Sequence, residues 1–67
     1  VKFRKRFAAN LKLARSKRSI TQEQLAAKTN LRQDWISHFE NGRRLPSLEV
    51  FARLSKALAV TADSLIQ

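Results

Sequence analysis

The sequence predicts an all-α fold, a compact bundle of five helices, and three observations carry that expectation. Apolar residues recur at helical spacing, as in Phe3, Phe7, Leu11 and Ala14. Glycine and proline occur once each, too little turn vocabulary for a β-rich fold. Helix-capping residues stand ahead of the patterned segments, at Thr21, Ser47 and Thr61. Sixty-seven residues make one small domain, 1–67. A chain this short buries only about 60% of its unfolded surface. With no cysteine to staple it, the core must come from the 43% of residues that are hydrophobic.

The first helix is expected over Phe3 to Arg18. On a wheel of about 100° per residue, Phe3, Phe7, Asn10, Leu11 and Ala14 share one side and basic residues take the rest. It should stop near Ser19, because Thr21 and Gln24 make a capping box for a second helix, Gln22 to Lys28, with Glu23 favourable in its first turn. Leu25 and Ala26 point inward, and Asn30 suits a left-handed residue in the tight turn that follows. A third helix runs from about Arg32 to Glu40. Leu31, Trp35, Ile36 and Phe39 form its apolar arc, and Gln33, Asp34, Ser37 and His38 lie opposite. Asn41-Gly42 terminates it. After the basic connection Arg43-Arg44-Leu45-Pro46, Ser47 caps a fourth helix with Leu48, Phe51, Leu54, Ala57 and Leu58 inside. Thr61 is expected to cap a fifth, Ala62 to Gln67, carrying Leu65 and Ile66.

Charge narrows the function. Fourteen Lys and Arg against five Asp and Glu give +9. Lys2, Arg4, Lys5, Arg6, Lys12, Arg15, Lys17 and Arg18 all fall within the first eighteen positions, where there is no acid. That balance favours a polyanionic partner. No apolar run approaches the roughly 18 to 20 residues of a membrane span and no secretory stretch opens the chain, so a soluble, cytoplasmic protein is expected. One histidine and no cysteine exclude a cysteine-based or multi-histidine zinc site, and neither a plausible triad nor a Gly-rich phosphate loop is present. No enzyme activity, cofactor or small-molecule ligand is expected.

Two short helices joined across Lys28-Thr29-Asn30-Leu31 have the proportions of a helix-turn-helix, with its core at about 21–40. The second helix of such a unit lies in the major groove of DNA. The amide, carboxylate, hydroxyl and imidazole of Gln33, Asp34, Ser37 and His38 match the donors and acceptors of base edges. Asp34 repels phosphate unless it finds a donor, which argues against a purely non-specific binder. Gln22, opening the second helix, is placed for phosphate, with Thr21 beside it through its hydroxyl or backbone amide.

At this point the chain closely resembles the phage repressor and Cro family of regulators, also called the xenobiotic response element family. The matching blocks are Thr21-Gln22-Glu23-Gln24-Leu25-Ala26, Ile36-Ser37-His38-Phe39-Glu40-Asn41-Gly42-Arg43-Arg44, Pro46-Ser47-Leu48 and Lys56-Ala57-Leu58-Ala59-Val60, spread over Phe7 to Leu65. The resemblance implies a lambda-repressor-like, five-helix domain that binds duplex DNA as a transcriptional regulator, a repressor of prokaryotic or phage type. It puts Gln33, Asp34 and His38 on base-contacting positions, with Arg32 at the helix start and Ser37 beside them. It assigns phosphate contacts to Gln22 and Asn41, extended by Arg43 and Arg44. It further implies an Arg15–Glu40 ion pair that also presents Arg15 to phosphate, and binding as a homodimer to half-sites about 34 Å apart. Asn30 stands where the family usually has Gly, and Arg32 where a Ser or Thr cap is usual, leaving either a poorly capped helix or an Arg that reaches DNA. Trp35 is expected to pack on the basic loop around Arg43 or to touch the sugar-phosphate backbone. The alternative function is a protein-interaction module of antitoxin or adaptor type. Membrane binding by the cationic first helix is disfavoured, because Phe7, Leu11 and Ala14 are needed in the core.

Overall fold

The computed structural model describes residues 2–67; Val1 and the side chain of Lys2, one of the eight amino-terminal cations, lie outside the described residues. Four α-helices follow one another: α1 Lys2–Lys17, α2 Gln22–Thr29, α3 Gln33–Glu40 and α4 Leu48–Leu58. All four surround one core of Phe7, Leu11, Leu25, Ile36, Phe39, Leu54 and Leu58, together with Leu65 from the carboxy-terminal end. Phe7 is its centre, meeting Phe39 and Phe51 edge-on at centroid distances of 6.2 and 5.7 Å. That geometry suits the ring quadrupoles.

Local chemistry sets the breaks. Thr21 Oγ1 accepts from the Gln24 amide at 3.0 Å and Gln24 Oε1 accepts from the Thr21 amide at 2.8 Å, the reciprocal box expected there. Replacing Thr21 by alanine removes the hydroxyl half and should cost about 1 kcal/mol. Thermal unfolding should then fall by about 4–8 °C, and an unchanged midpoint would deny the cap its role. Asn30 closes α2 in the left-handed region at φ 59°, ψ 40°. Below it, the buried Thr29 hydroxyl donates back to the Leu25 carbonyl at 2.8 Å. Ser47 Oγ accepts from the Val50 amide at 3.2 Å and starts α4.

Three expectations are corrected. The fifth helix is absent from the described residues; in its place stands a single turn of 3-10 helix, Asp63–Leu65. Ala62 rather than Thr61 stands at its N-cap; the Thr61 hydroxyl does accept from the Ser64 amide at 3.1 Å, but the amides of Ser64, Leu65 and Ile66 bond three residues back rather than four. The tighter winding drops Leu65 into the core at 1% exposure, and Asn10 Nδ2 on α1 holds its carbonyl at 3.1 Å. A six-residue α-helix gains too few bonds to offset nucleation, so tertiary seating decides its form. Leu48 is not an inner residue: it is 84% exposed, because it starts α4 beyond the edge of the core, and Val50 packs inward instead. Phe3, at the far end of α1, is half-exposed for the same reason.

Candidate nucleic-acid interface

α3 lies with Ile36 and Phe39 against the core and the opposite side open. At about 100° per residue, Gln33, Ser37, Asn41, Asp34 and His38 fall within an arc of about 140°. Gln33 and Asp34 are exposed, and Ser37 and His38 half-buried. Asn41 Nδ2 donates to Ser37 Oγ at 3.2 Å, so the end of the arc is braced. Arg32 precedes the helix rather than opening it: its backbone is extended, with φ −80° and ψ 148°, and its side chain makes no cap. Its guanidinium instead stands 3.6 Å from the Asp34 carboxylate. Both groups are exposed, so the pair contributes little stability. It does give Asp34 a neighbouring cation that softens its repulsion of phosphate.

The helix is held from behind by a network around Glu40, whose side chain is 1% exposed. Arg15 grips both carboxylate oxygens, Nε to Oε2 at 2.6 Å and one terminal nitrogen to Oε1 at 3.0 Å. Its other terminal nitrogen donates to the Ile20 carbonyl at 2.9 Å. Gln22 Nε2 donates to Glu40 Oε1 at 3.0 Å. A carboxylate in the last turn of a helix opposes the macrodipole, and here the charge is matched by a bidentate arginine. The hydrogen bond to Glu40 is the main reason the Arg15 guanidinium is held above its already high ordinary pKa, against the cost of burial. The pair ties α1, the start of α2 and the end of α3 to one point.

This network changes the reading of two residues. Gln22 was expected at phosphate, but one of its amide hydrogens is committed to Glu40. Its backbone N–H, in the first turn of α2, has no intrahelical partner and stands at the positive end of the helix dipole. Arg15 uses three of its five N–H donors internally and its side chain is 18% exposed, so it is foremost a strut. The Gln22–Glu40 bond had no signal in the sequence, because its partners are eighteen positions apart.

Beyond α3, Asn41, Arg43 and Arg44 are exposed. Gly42 turns the chain at φ 72°, a conformation that favours glycine; the space around it is ordinary, with the Arg4 carbonyl 3.9 Å from where a Cβ would stand. Trp35 does pack on the basic loop, but on Arg44 rather than Arg43: the guanidinium carbon lies 5.3 Å from the ring centroid. The same ring meets His38 edge-on at 6.0 Å. Thr21 keeps its hydroxyl proton free, while its backbone amide is taken by Gln24.

A short helix braced at its end, with an exposed polar arc flanked by cations and an anchored helix crossing behind it, defines a helix-turn-helix domain of the regulator class. The family model for the helix-turn-helix domain matches residues 6–65, and the chain belongs to that family. It is 32% identical over 63 residues to an uncharacterized HTH-type transcriptional regulator, y4dJ, from Sinorhizobium fredii, covering 94% of this chain and 82% of that one. It is 38% identical over 47 residues to multiprotein-bridging factor 1 of Candida albicans, where the match covers 70% of this chain and 31% of that protein. The chain therefore aligns with less than a third of the length of the bridging factor. The hypothetical transcription factor NHTF from Neisseria superposes with a TM-score of 0.92 at 29% identity, over 97% of this chain and 75% of that one. Two of these three are named as a transcriptional regulator or transcription factor. No helix among the described residues is long and apolar enough to cross a membrane.

Proposed function

We propose that residues 1–67 act as one domain that reads duplex DNA sequence, in a cytoplasmic transcriptional regulator that represses by occupying its site and has no catalytic step. The observation that carries this is the open polar arc of α3 held by the buried Arg15–Glu40–Gln22 network. A helix fixed in place presents its side chains in a set register, and base readout needs that precision. Gln33, Asp34, Ser37 and His38 contact bases, with Arg32 at the groove edge. The Gln22 backbone amide, the Thr21 hydroxyl, Asn41, Arg43 and Arg44 hold phosphates, and Arg15 adds its charge from behind. One such helix covers few base pairs, so binding as a homodimer to an inverted repeat, with half-sites about 34 Å apart, supplies the remaining affinity.

Selection from a random duplex pool at about 50 and 200 mM salt tests this reading. Enrichment of an inverted repeat with centres about 10 base pairs apart is the expected result. Binding without any enriched sequence would reduce the chain to a charge-driven DNA coater. On the selected site, Gln33→Ala should cost about 1–3 kcal/mol and relax preference at one base pair. An equal loss on unrelated duplex would remove Gln33 from base readout.

A second reading has one observation in its favour: the Candida relative is named as a bridging factor. A protein-interaction role, of adaptor or antitoxin type, takes precedence if the chain fails to bind duplex at about 50 mM salt.

A further inference from the structure

Apart from Arg15, the basic residues of α1 took no part in the site above, yet the fold brings α1 against the end of α3. An open groove of about 510 Å³ runs between them. Lys5, Ala8, Ala9, Lys12 and Ser16 line it from α1, and Asn41 lines it from beyond the end of α3. We infer that this groove receives a run of the DNA sugar-phosphate backbone, continuing the path that begins at Asn41, and that Lys5 and Lys12 each bind a phosphate in it. The inference rests on the duplex-binding reading of the same face and extends it to a second element.

Four features carry it. Lys5 and Lys12 are seven residues apart, two helical turns, so both ammonium groups rise from one stripe of α1, with Ser16 one turn further along. All three side chains are exposed. Ala8, Ala9 and Gly42, all small, are among its lining residues, and Leu13 is the one large apolar side chain there. The one carboxylate bordering the groove, Glu40, is already satisfied by Arg15 and Gln22, so it does not cancel the lysines. Finally, the proposed function already assigns Asn41 a phosphate on grounds separate from the groove. A strand touching Asn41 has Lys5, Lys12 and Ser16 directly across from it.

The lysines lie about 10 Å apart along the helix axis, too far to share one phosphate. Two separate contacts should therefore be lost when both are neutralised. The experiment measures binding of the full chain to one fixed duplex as a function of salt, for the wild type, Lys5→Gln/Lys12→Gln, and the charge-matched control Lys28→Gln/Lys56→Gln. The control lysines are exposed and line a different cavity, between α2 and α4. The groove pair should lower the slope of log affinity against log salt by about 1.8, with more than about tenfold weaker binding at 100 mM, equally on selected and unrelated sequences. The control should change the slope by less than about 0.5. Ala9→Glu, which keeps a helix former and puts a carboxylate among the residues lining the groove, should weaken binding by about tenfold or more. Equal slopes for the two lysine pairs, or a harmless Ala9→Glu, overturn the groove while leaving the duplex reading intact. A wild-type chain that binds no duplex overturns both.

Discussion

Arg15→Ala should destabilise the domain by about 3–5 kcal/mol, the range for breaking a buried ion pair by removing one partner. The cost arises less from the lost attraction than from what is left behind. Glu40, at 1% side-chain exposure, would lose both arginine contacts and keep only the Gln22 amide, on one of its two oxygens. The Ile20 carbonyl would lose its donor as well. Against a total stability that is about 5 kcal/mol for many small domains, this is enough to unfold a large fraction of the chain. Urea unfolding followed by helical circular dichroism measures it, and a loss under about 1 kcal/mol would show the pair to be dispensable. The double variant Arg15→Met/Glu40→Leu should be far milder, because no charge is left buried. The sign of the pH dependence follows from the raised Arg15 pKa. A cation with a raised folded pKa contributes its stability below the unfolded value and loses it only as pH climbs through the folded one. That window lies in strong alkali, so Arg15 stays charged wherever the domain works.

Leu65→Ala should cost about 2–5 kcal/mol although it lies two residues from the carboxy-terminal end of the sequence. Leu65 is 1% exposed and belongs to the central cluster, so truncating it leaves a cavity in the core. Its backbone is tied to Asn10, fifty-five positions away, so the 3-10 turn closes the core against α1. The same urea measurement checks it, with the neighbouring Ser64→Ala as a surface comparison expected within about 0.5 kcal/mol. A Leu65→Ala loss as small as that would mean the terminal turn frays in solution.

Much of this was legible before any coordinates. The capping box at Thr21, the left-handed Asn30, the Ser47 cap and the inner positions Leu25, Ile36 and Leu54 follow from spacing and cap chemistry within a few residues. The open arc of α3 follows from the same periodicity. Ser19 and Ala59, both at φ 55°, were not legible, since neither residue type advertises a left-handed conformation. The exposure of Leu48 was misread because the wheel gives an angle around a helix but not how far along it the core extends.

By itself, the sequence determined the helical class, the boundaries of the first four helices to within about two residues, and the side chains offered by α3, because helix periodicity and capping act over three or four neighbours. Only the tertiary structure decided that Gln22 turns to Glu40, that Trp35 stacks on Arg44, that the last segment winds as a 3-10 turn, and that Lys5 and Lys12 face Asn41 across a groove. Most of these couple residues distant along the chain, and such partners meet only once the packing of α1 against α3 and of the terminal turn against α1 has set where each helix face points.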